Sequence, residues 1–371
     1  MMQISKFTLL LLSGGSLIGQ NIVQAIGARR DRFKLIATNS DPSEPSLLDF
    51  DEVHLVPETL GNHDYLEEVV RSITATSNVA LIVPCRDDDV LFCAELAMRD
   101  VQLRNKMICG SFELARMMLD KEDSYHFSVR HALPFAACCS LDSLEAVENF
   151  SRDVPLPLIV KPKFGFASRK VTLVTQMSQL TSLVPNENLV AQEYLGDPER
   201  VHSYTNAVSA GSVPLFHSFE ETKISLQTII DPHGNFDEIF ATQNAMRCGV
   251  STRIILDKSR DSIELGERCA TVFAREGWRG PLNIQCLRRP DGRLGIHEYN
   301  GRFTGATAAR ARLGYDEVQR ALKCFAGLKI DSLFAPGSQT SVEKQPVTQS
   351  MPKLIEHQLS TVGHWRKGAP E

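Results

Sequence analysis

Several short stretches of this 371-residue chain combine side chains suited to phosphate, metal or carboxylate chemistry. Leu158-Ile159-Val160-Lys161-Pro162-Lys163-Phe164-Gly165-Phe166-Ala167-Ser168 reads as an apolar strand that delivers two lysines into a loop with glycine and serine. Cations beside flexible donors suit a polyphosphate. Single lysines also end strands on solvated faces, but Pro162 and Gly165 favour a shaped loop. Val190-Ala191-Gln192-Glu193-Tyr194-Leu195 sets an amide and a carboxylate in an apolar strand, which could read an adenine edge or be a plain edge strand.

A hairpin carries the next set. Asn283-Ile284-Gln285 lies on one strand and His297-Glu298-Tyr299-Asn300-Gly301-Arg302 on its partner, joined across the turn Arg289-Pro290-Asp291-Gly292. Period two puts Glu298 and Asn300 on one face, and Gln285 joins them if the register allows. One carboxylate, two amide oxygens and nucleotide phosphates are hard oxygen ligands of the kind Mg²⁺ accepts. Arg302 beside them could clamp an anion; Glu298 and Arg302 alone could equally be a structural ion pair. Near the start, Gly14-Gly15-Ser16-Leu17-Ile18-Gly19 joins a strand to a helix, where backbone N–H groups can meet an anion. It keeps only G-x-S-x-x-G of the dinucleotide fingerprint, and Asn39-Ser40-Asp41 after the second strand lacks the clean terminal acid for a ribose. A ligand-free turn stays open there, and NAD is not favoured.

The elements that must hold these residues fall into two kinds. Strands expected at 8–13, 34–38, 80–84 and 106–109 alternate with helices at 17–28, 65–73 and 88–99, the pattern of a parallel sheet with crossover helices. A helical connector spans 111–150. Antiparallel strands then follow at 158–161, 171–174, 190–195, 201–208, 239–246, 253–256, 282–287 and 294–299, with helices at 262–276, around 305–313 and at 316–326. Beyond Leu333 the Pro, Ser, Gln and Thr content predicts a loosely held tail with one short helix.

Composition bounds the function. The chain is 43% hydrophobic and its 40 Lys and Arg against 45 Asp and Glu give a net charge of −5, so there is no global basic footprint for nucleic acid or an anionic membrane. The apolar run 7–12 is far short of the roughly 20 residues of a membrane span. Nine cysteines without a C-x-x-C pair spell neither a disulfide framework nor a zinc site and fit a reducing cytoplasm.

In order and spacing, the Lys-Pro strand and loop, the Gln-Glu-Tyr-Leu segment, and Asn-x-Gln followed by Glu-x-Asn-x-Arg resemble the ATP-grasp superfamily, most closely one synthetase unit of the carbamoyl-phosphate synthetase large subunit, over residues 8–327. The resemblance implies a mixed α/β and α+β chain. A Rossmann-like pre-ATP-grasp domain (1–115) would precede a connector and small ATP-grasp subdomain (116–190), a large subdomain with the metal site (191–330) and a polar tail (331–371).

It also implies that Lys121 and Lys161 hold ATP phosphates, with Lys163 nearby and the loop around Gly165 and Ser168 folding over them. Gln192, Glu193, Tyr194 and Leu195 would form the adenine hinge, and Glu199 would be the ribose acid. Gln285, Glu298 and Asn300 would be the Mg²⁺ (or Mn²⁺) ligands. Arg302, helped by Lys161, would stabilise an acyl phosphate or its tetrahedral adduct, Arg247 would touch substrate or phosphate, and Gly15 and Ser16 would line the cleft.

The activity implied is ATP-dependent ligation of a carboxylate to an amine through an acyl phosphate. Small-molecule carboxylate and amine partners are expected, a homodimer is open, and neither nucleic acid nor membrane is expected. An amino-acid ligase is favoured over carbamoyl-phosphate synthesis, because one unit is present where that subunit carries two. The alternatives are an NAD-dependent oxidoreductase built on the first domain and a catalytically silent nucleotide-binding regulator.

Overall fold

The computed structural model describes residues 6–164, 171–213, 218–345 and 348–368. Three sheets organise them. In the first, the parallel strands run in the order Glu52–Leu55, Phe33–Asn39, Phe7–Leu12, Val79–Pro84. The unbroken apolar run at Phe7–Leu12 has a direct cause: Leu9 and Leu11 face one core, Leu10 and Leu12 the other, so both faces of the strand are buried. Helices Leu17–Ile26, His63–Thr76 and Asp87–Arg99 fall close to the expected spans. The strand expected at 106–109 is reduced to an isolated bridge between Ile82 and Met107, preceded by the short helix Val101–Arg104.

The small second sheet is antiparallel, ordered Cys138–Leu141, Asn186–Glu193, Leu158–Pro162, Thr172–Val174. The large third sheet is also antiparallel: Leu294–Asn300, Gly280–Arg288, Lys223–Ile230, Phe240–Arg247, Val250–Leu256, Ser341–Glu343. Helix Arg260–Arg275 packs Leu265, Cys269, Ala270 and Phe273 into the largest apolar core beside it.

Several expectations are corrected. Residues 201–208 are not a strand but part of helix Pro198–Ser209: Asp197 caps it, Pro198 opens it, and Val201, Tyr204 and Val208 recur at helical spacing. The strand Lys223–Ile230, absent from the sequence reading, lies in the middle of the third sheet. The tail is not loosely held either. Ser341–Glu343 pairs with Arg253–Ile255, helix Lys353–Val362 ends at Gly363 with a left-handed φ of 75°, and His364–Arg366 adds an antiparallel strand to Glu52–His54 of the first sheet. Leu359 and Trp365 enter the core of that sheet. Glu52 fastens the return: one carboxylate oxygen takes Lys34 at 2.8 Å and Arg366 at 3.1 Å, and the other takes His54 at 3.0 Å.

Candidate active site

A cleft of about 1190 Å³ runs between the carboxyl ends of the first sheet and the faces of the other two sheets. That volume exceeds the roughly 300–1,000 Å³ of a typical small-molecule site, enough for more than one ligand. Its floor on the first domain is tied together by one buried side chain. Asp89 accepts from Ser13 Oγ at 3.1 Å, Thr59 Oγ1 at 2.7 Å, Cys85 N at 3.3 Å and Arg86 N at 3.0 Å, so one buried carboxylate ties together three chain segments at the sheet's edge. Gly15 and Ser16 line the cleft there, with Gly15 N donating to Asn39 Oδ1 at 3.1 Å. Gly19, the last glycine of the turn, is needed for packing: a Cβ would lie 2.0 Å from the Gly14 carbonyl oxygen. The glycine pattern thus has a structural explanation that needs no dinucleotide.

The opposite wall is the hairpin. Its register sets Gln285 against Glu298 and Asn283 against Asn300. Next to Gln285, Cys286 pairs with Ile296, which leaves His297 as an extra residue in a β-bulge. The bulge changes the face of the strand: Ile296 points into the apolar core, while His297 and Glu298 both line the cleft.

Cations from separate elements converge on Glu298. Lys121 opens helix Lys121–Arg130 and brings Nζ to 4.0 Å from Oε1. Lys161 comes from the Leu158–Pro162 strand, Lys223 from the start of the central strand, and Arg302 from just beyond the hairpin. Burial alone would raise the Glu298 carboxyl, but Lys121, Lys161, Lys223 and Arg302 hold it below its usual range. Burial pulls the Lys161 ammonium down to about 8, opposed by Glu298. Lys161 Nζ donates to Gln192 Oε1 at 2.8 Å, and among the described residues neither Lys161 nor Lys223 is ion-paired to a carboxylate. Arg302 is better anchored: Nη2 donates to Asp87 Oδ2 at 2.7 Å and to Asn300 Oδ1 at 2.9 Å. Burial opposes its charge, yet Asp87 lifts it above the ordinary guanidinium value. Gly301 permits this close turn: a Cβ there would sit 2.3 Å from Trp278 Cζ2.

Gly15, Ser16, Lys121, Lys161, Gln192, Glu193, Tyr194, Leu195, Gln285, Glu298 and Arg302 therefore share one cleft. Lys163, Glu199, Arg247 and Asn300 do not line it. Lys163 lies beyond Pro162, where the strand's alternation has ended, and its ammonium is 3.1 Å from Glu122. Glu199 is exposed in the first turn of the Pro198–Ser209 helix, and Glu220 and Glu221 line the cleft instead. Arg247 is exposed at a strand end whose neighbours Met246 and Cys248 face the cleft. Asn300 is buried and is not among the residues lining the cleft; its Oδ1 accepts from Arg302 Nη2 at 2.9 Å and so helps orient that arginine. Glu193 reaches the cleft, and its carboxylate is already engaged by Arg289 and by Ala137 N. Gly165 and Ser168 lie outside the described residues.

The sequence reading also missed contributors. Lys223 belongs to the unrecognised strand, and Lys344, from the tail, reaches the cleft and donates to Gly305 O at 2.7 Å. Asp87 had a sequence signal, the acidic run Asp87-Asp88-Asp89 opening a helix, but not its partner. All nine cysteines are free thiols, and no helix among the described residues is long and apolar enough to cross a membrane.

Solved structures share this arrangement. N5-carboxyaminoimidazole ribonucleotide synthetase from Thermus thermophilus is 14% identical, with a TM-score of 0.66 over 90% of this chain and 82% of that one. N5-carboxyaminoimidazole synthetase from Staphylococcus aureus is 12% identical, with a TM-score of 0.64 over 89% and 80%. The biotin carboxylase domain of 2-oxoglutarate carboxylase from Hydrogenobacter thermophilus is 14% identical, with a TM-score of 0.64 over 90% and 72%. No family model matches the sequence, and no curated protein matches it. At such identities the likeness establishes the fold, an ATP-grasp architecture behind a Rossmann-like domain.

Proposed function

We propose that this chain is an ATP-dependent ligase that activates a carboxylate as an acyl phosphate for attack by an amine. The observation that carries the reading is Glu298, ionised beside Gln285 and ringed by Lys121, Lys161, Lys223 and Arg302 in one cleft. A carboxylate and a γ-phosphate repel each other, so catalysis of their union calls for fixed positive charge and alignment rather than a protein nucleophile. Lys161 and Lys223 supply that charge. Gln285 and Glu298, opposite one another, are the oxygen donors for Mg²⁺ or Mn²⁺, which would supply charge neutralisation to the phosphates. Arg302, locked by Asp87 and Asn300, presents a planar donor fork where charge develops on the acyl group. Gln192 to Leu195 flank the adenine end.

The Hydrogenobacter thermophilus neighbour was crystallised with MgADP, ADP and bicarbonate, which supports the same pairing of nucleotide and small carboxylate here and adds bicarbonate to the candidate substrates. A cytoplasmic setting belongs to this reading, in keeping with nine unpaired thiols. The test is ADP release from Mg-ATP with pooled amino acids, small carboxylates including bicarbonate, and amines, with Glu298→Gln as the blank. A pool that triggers release in the wild type alone supports the ligase. No release from any pool, or equal release from the variant, refutes it.

A further inference from the structure

Strict alternation along Leu294–Asn300 would turn residue 297 away from any face that holds Glu298. The bulge defeats that rule and places the His297 imidazole on the cleft wall beside Glu298. Three features of this ring have no use in the fold. Its Nε2 is buried without a hydrogen-bond partner, a state whose cost is relieved only by a ligand or water. It faces the same cleft as Lys161 and Lys223, and an imidazole N–H can donate a hydrogen bond to an anion. And it lies between two landmarks on one strand: Gly295, packed against Leu195 of the adenine segment, and Glu298 of the metal pair. A nucleotide held between those two landmarks would bring its phosphates past the ring.

We propose that His297 is a further phosphate-binding residue of this cleft, donating from its imidazole Nε2–H to the nucleotide's phosphate chain alongside Lys161 and Lys223. The inference rests on the nucleotide-binding part of the function proposed above. It adds a contact that separates phosphate-bearing nucleotides from the bare nucleoside.

Calorimetric titration of the full chain with Mg-ATP, Mg-ADP and adenosine tests it. His297→Ala should weaken both nucleotides on the order of tenfold and leave adenosine unchanged, the effect of losing a hydrogen bond to a charged group. His297→Gln, which keeps a neutral N–H donor, should restore most of the affinity, and thermal unfolding of both variants confirms the fold. Equal weakening for adenosine and ADP, or unchanged ADP affinity in His297→Ala, overturns the proposal while leaving the nucleotide reading intact. A wild type that binds neither nucleotide overturns both, and the wild-type titration alone tells these failures apart.

Discussion

Raising the pH should weaken nucleotide binding through a single lysine, by an amount that its surroundings set. Burial pulls the Lys161 ammonium down to about 8 even though Glu298 favours its charge. A group at that value is roughly three-quarters protonated at pH 7.5 and only about 3% protonated at pH 9.5. Bound phosphate stabilises the ammonium, so binding takes up a proton and affinity must fall as pH rises through the free-state value. If the phosphate accepts only from the charged form, the fall between those pH values is about 25-fold, or roughly 1.9 kcal/mol. The assay is calorimetric titration with Mg-ADP at pH 7.5, 8.5 and 9.5. Lys161→Arg, charged throughout, should flatten the profile, and Lys161→Ala should bind weakly at every pH. A wild-type affinity that does not change across the interval, or a Lys161→Ala variant that keeps the wild-type slope, refutes the placement of this ammonium on the nucleotide.

Other expectations follow from the same geometry. Glu298→Gln should lower kcat by about a thousandfold, near 4 kcal/mol of barrier, yet shift the thermal midpoint by only about 4 °C or less, because the residue lines a cleft rather than a core; steady-state kinetics and calorimetry measure the two, and near-wild-type turnover would remove Glu298 from the metal site. Burial opposes ionisation of Glu52, but hydrogen bonds from Lys34, Arg366 and His54 hold its pKa at about 2, below the unfolded value, so its contribution is complete above about pH 4.5 and fades as pH falls toward 2. The stability gap between wild type and Glu52→Gln, about 1–2 kcal/mol at pH 7 after solvent screening, should therefore shrink steadily in urea titrations from pH 5 to pH 2; a gap that stays constant contradicts the ion-pair cluster. Deleting residues 340–371 removes two sheet strands and the buried Leu359 and Trp365, and should cost about 3–5 kcal/mol in chemical denaturation. An unchanged midpoint would mean that the tail is dispensable to the fold.

The sequence by itself determined much of the scaffold and the core of the cleft. Apolar runs with helical intervals marked the parallel sheet, because a strand buried on both faces has no polar side to write. The hairpin was legible from its turn and its period of two, and with it the pairing of Gln285 and Glu298 on one face. Tertiary structure decided what local periodicity cannot encode. Lys163 and Lys161 look alike in sequence, yet Glu122, from a helix far along the chain, takes one and leaves the other to the cleft. Asn300 reads as a metal ligand in sequence, yet only the fold shows that its oxygen also accepts from Arg302, itself held by Asp87. The bulge at His297 inverts the face that alternation assigns, and it arises from how one strand pairs with its neighbour rather than from any residue in it. The polar tail lacks periodicity of its own, and its strands form only because two distant sheets offer open edges to pair with. Side-chain type and spacing fix which chemistry a residue can do; the long-range pairing of strands fixes which residues meet to do it.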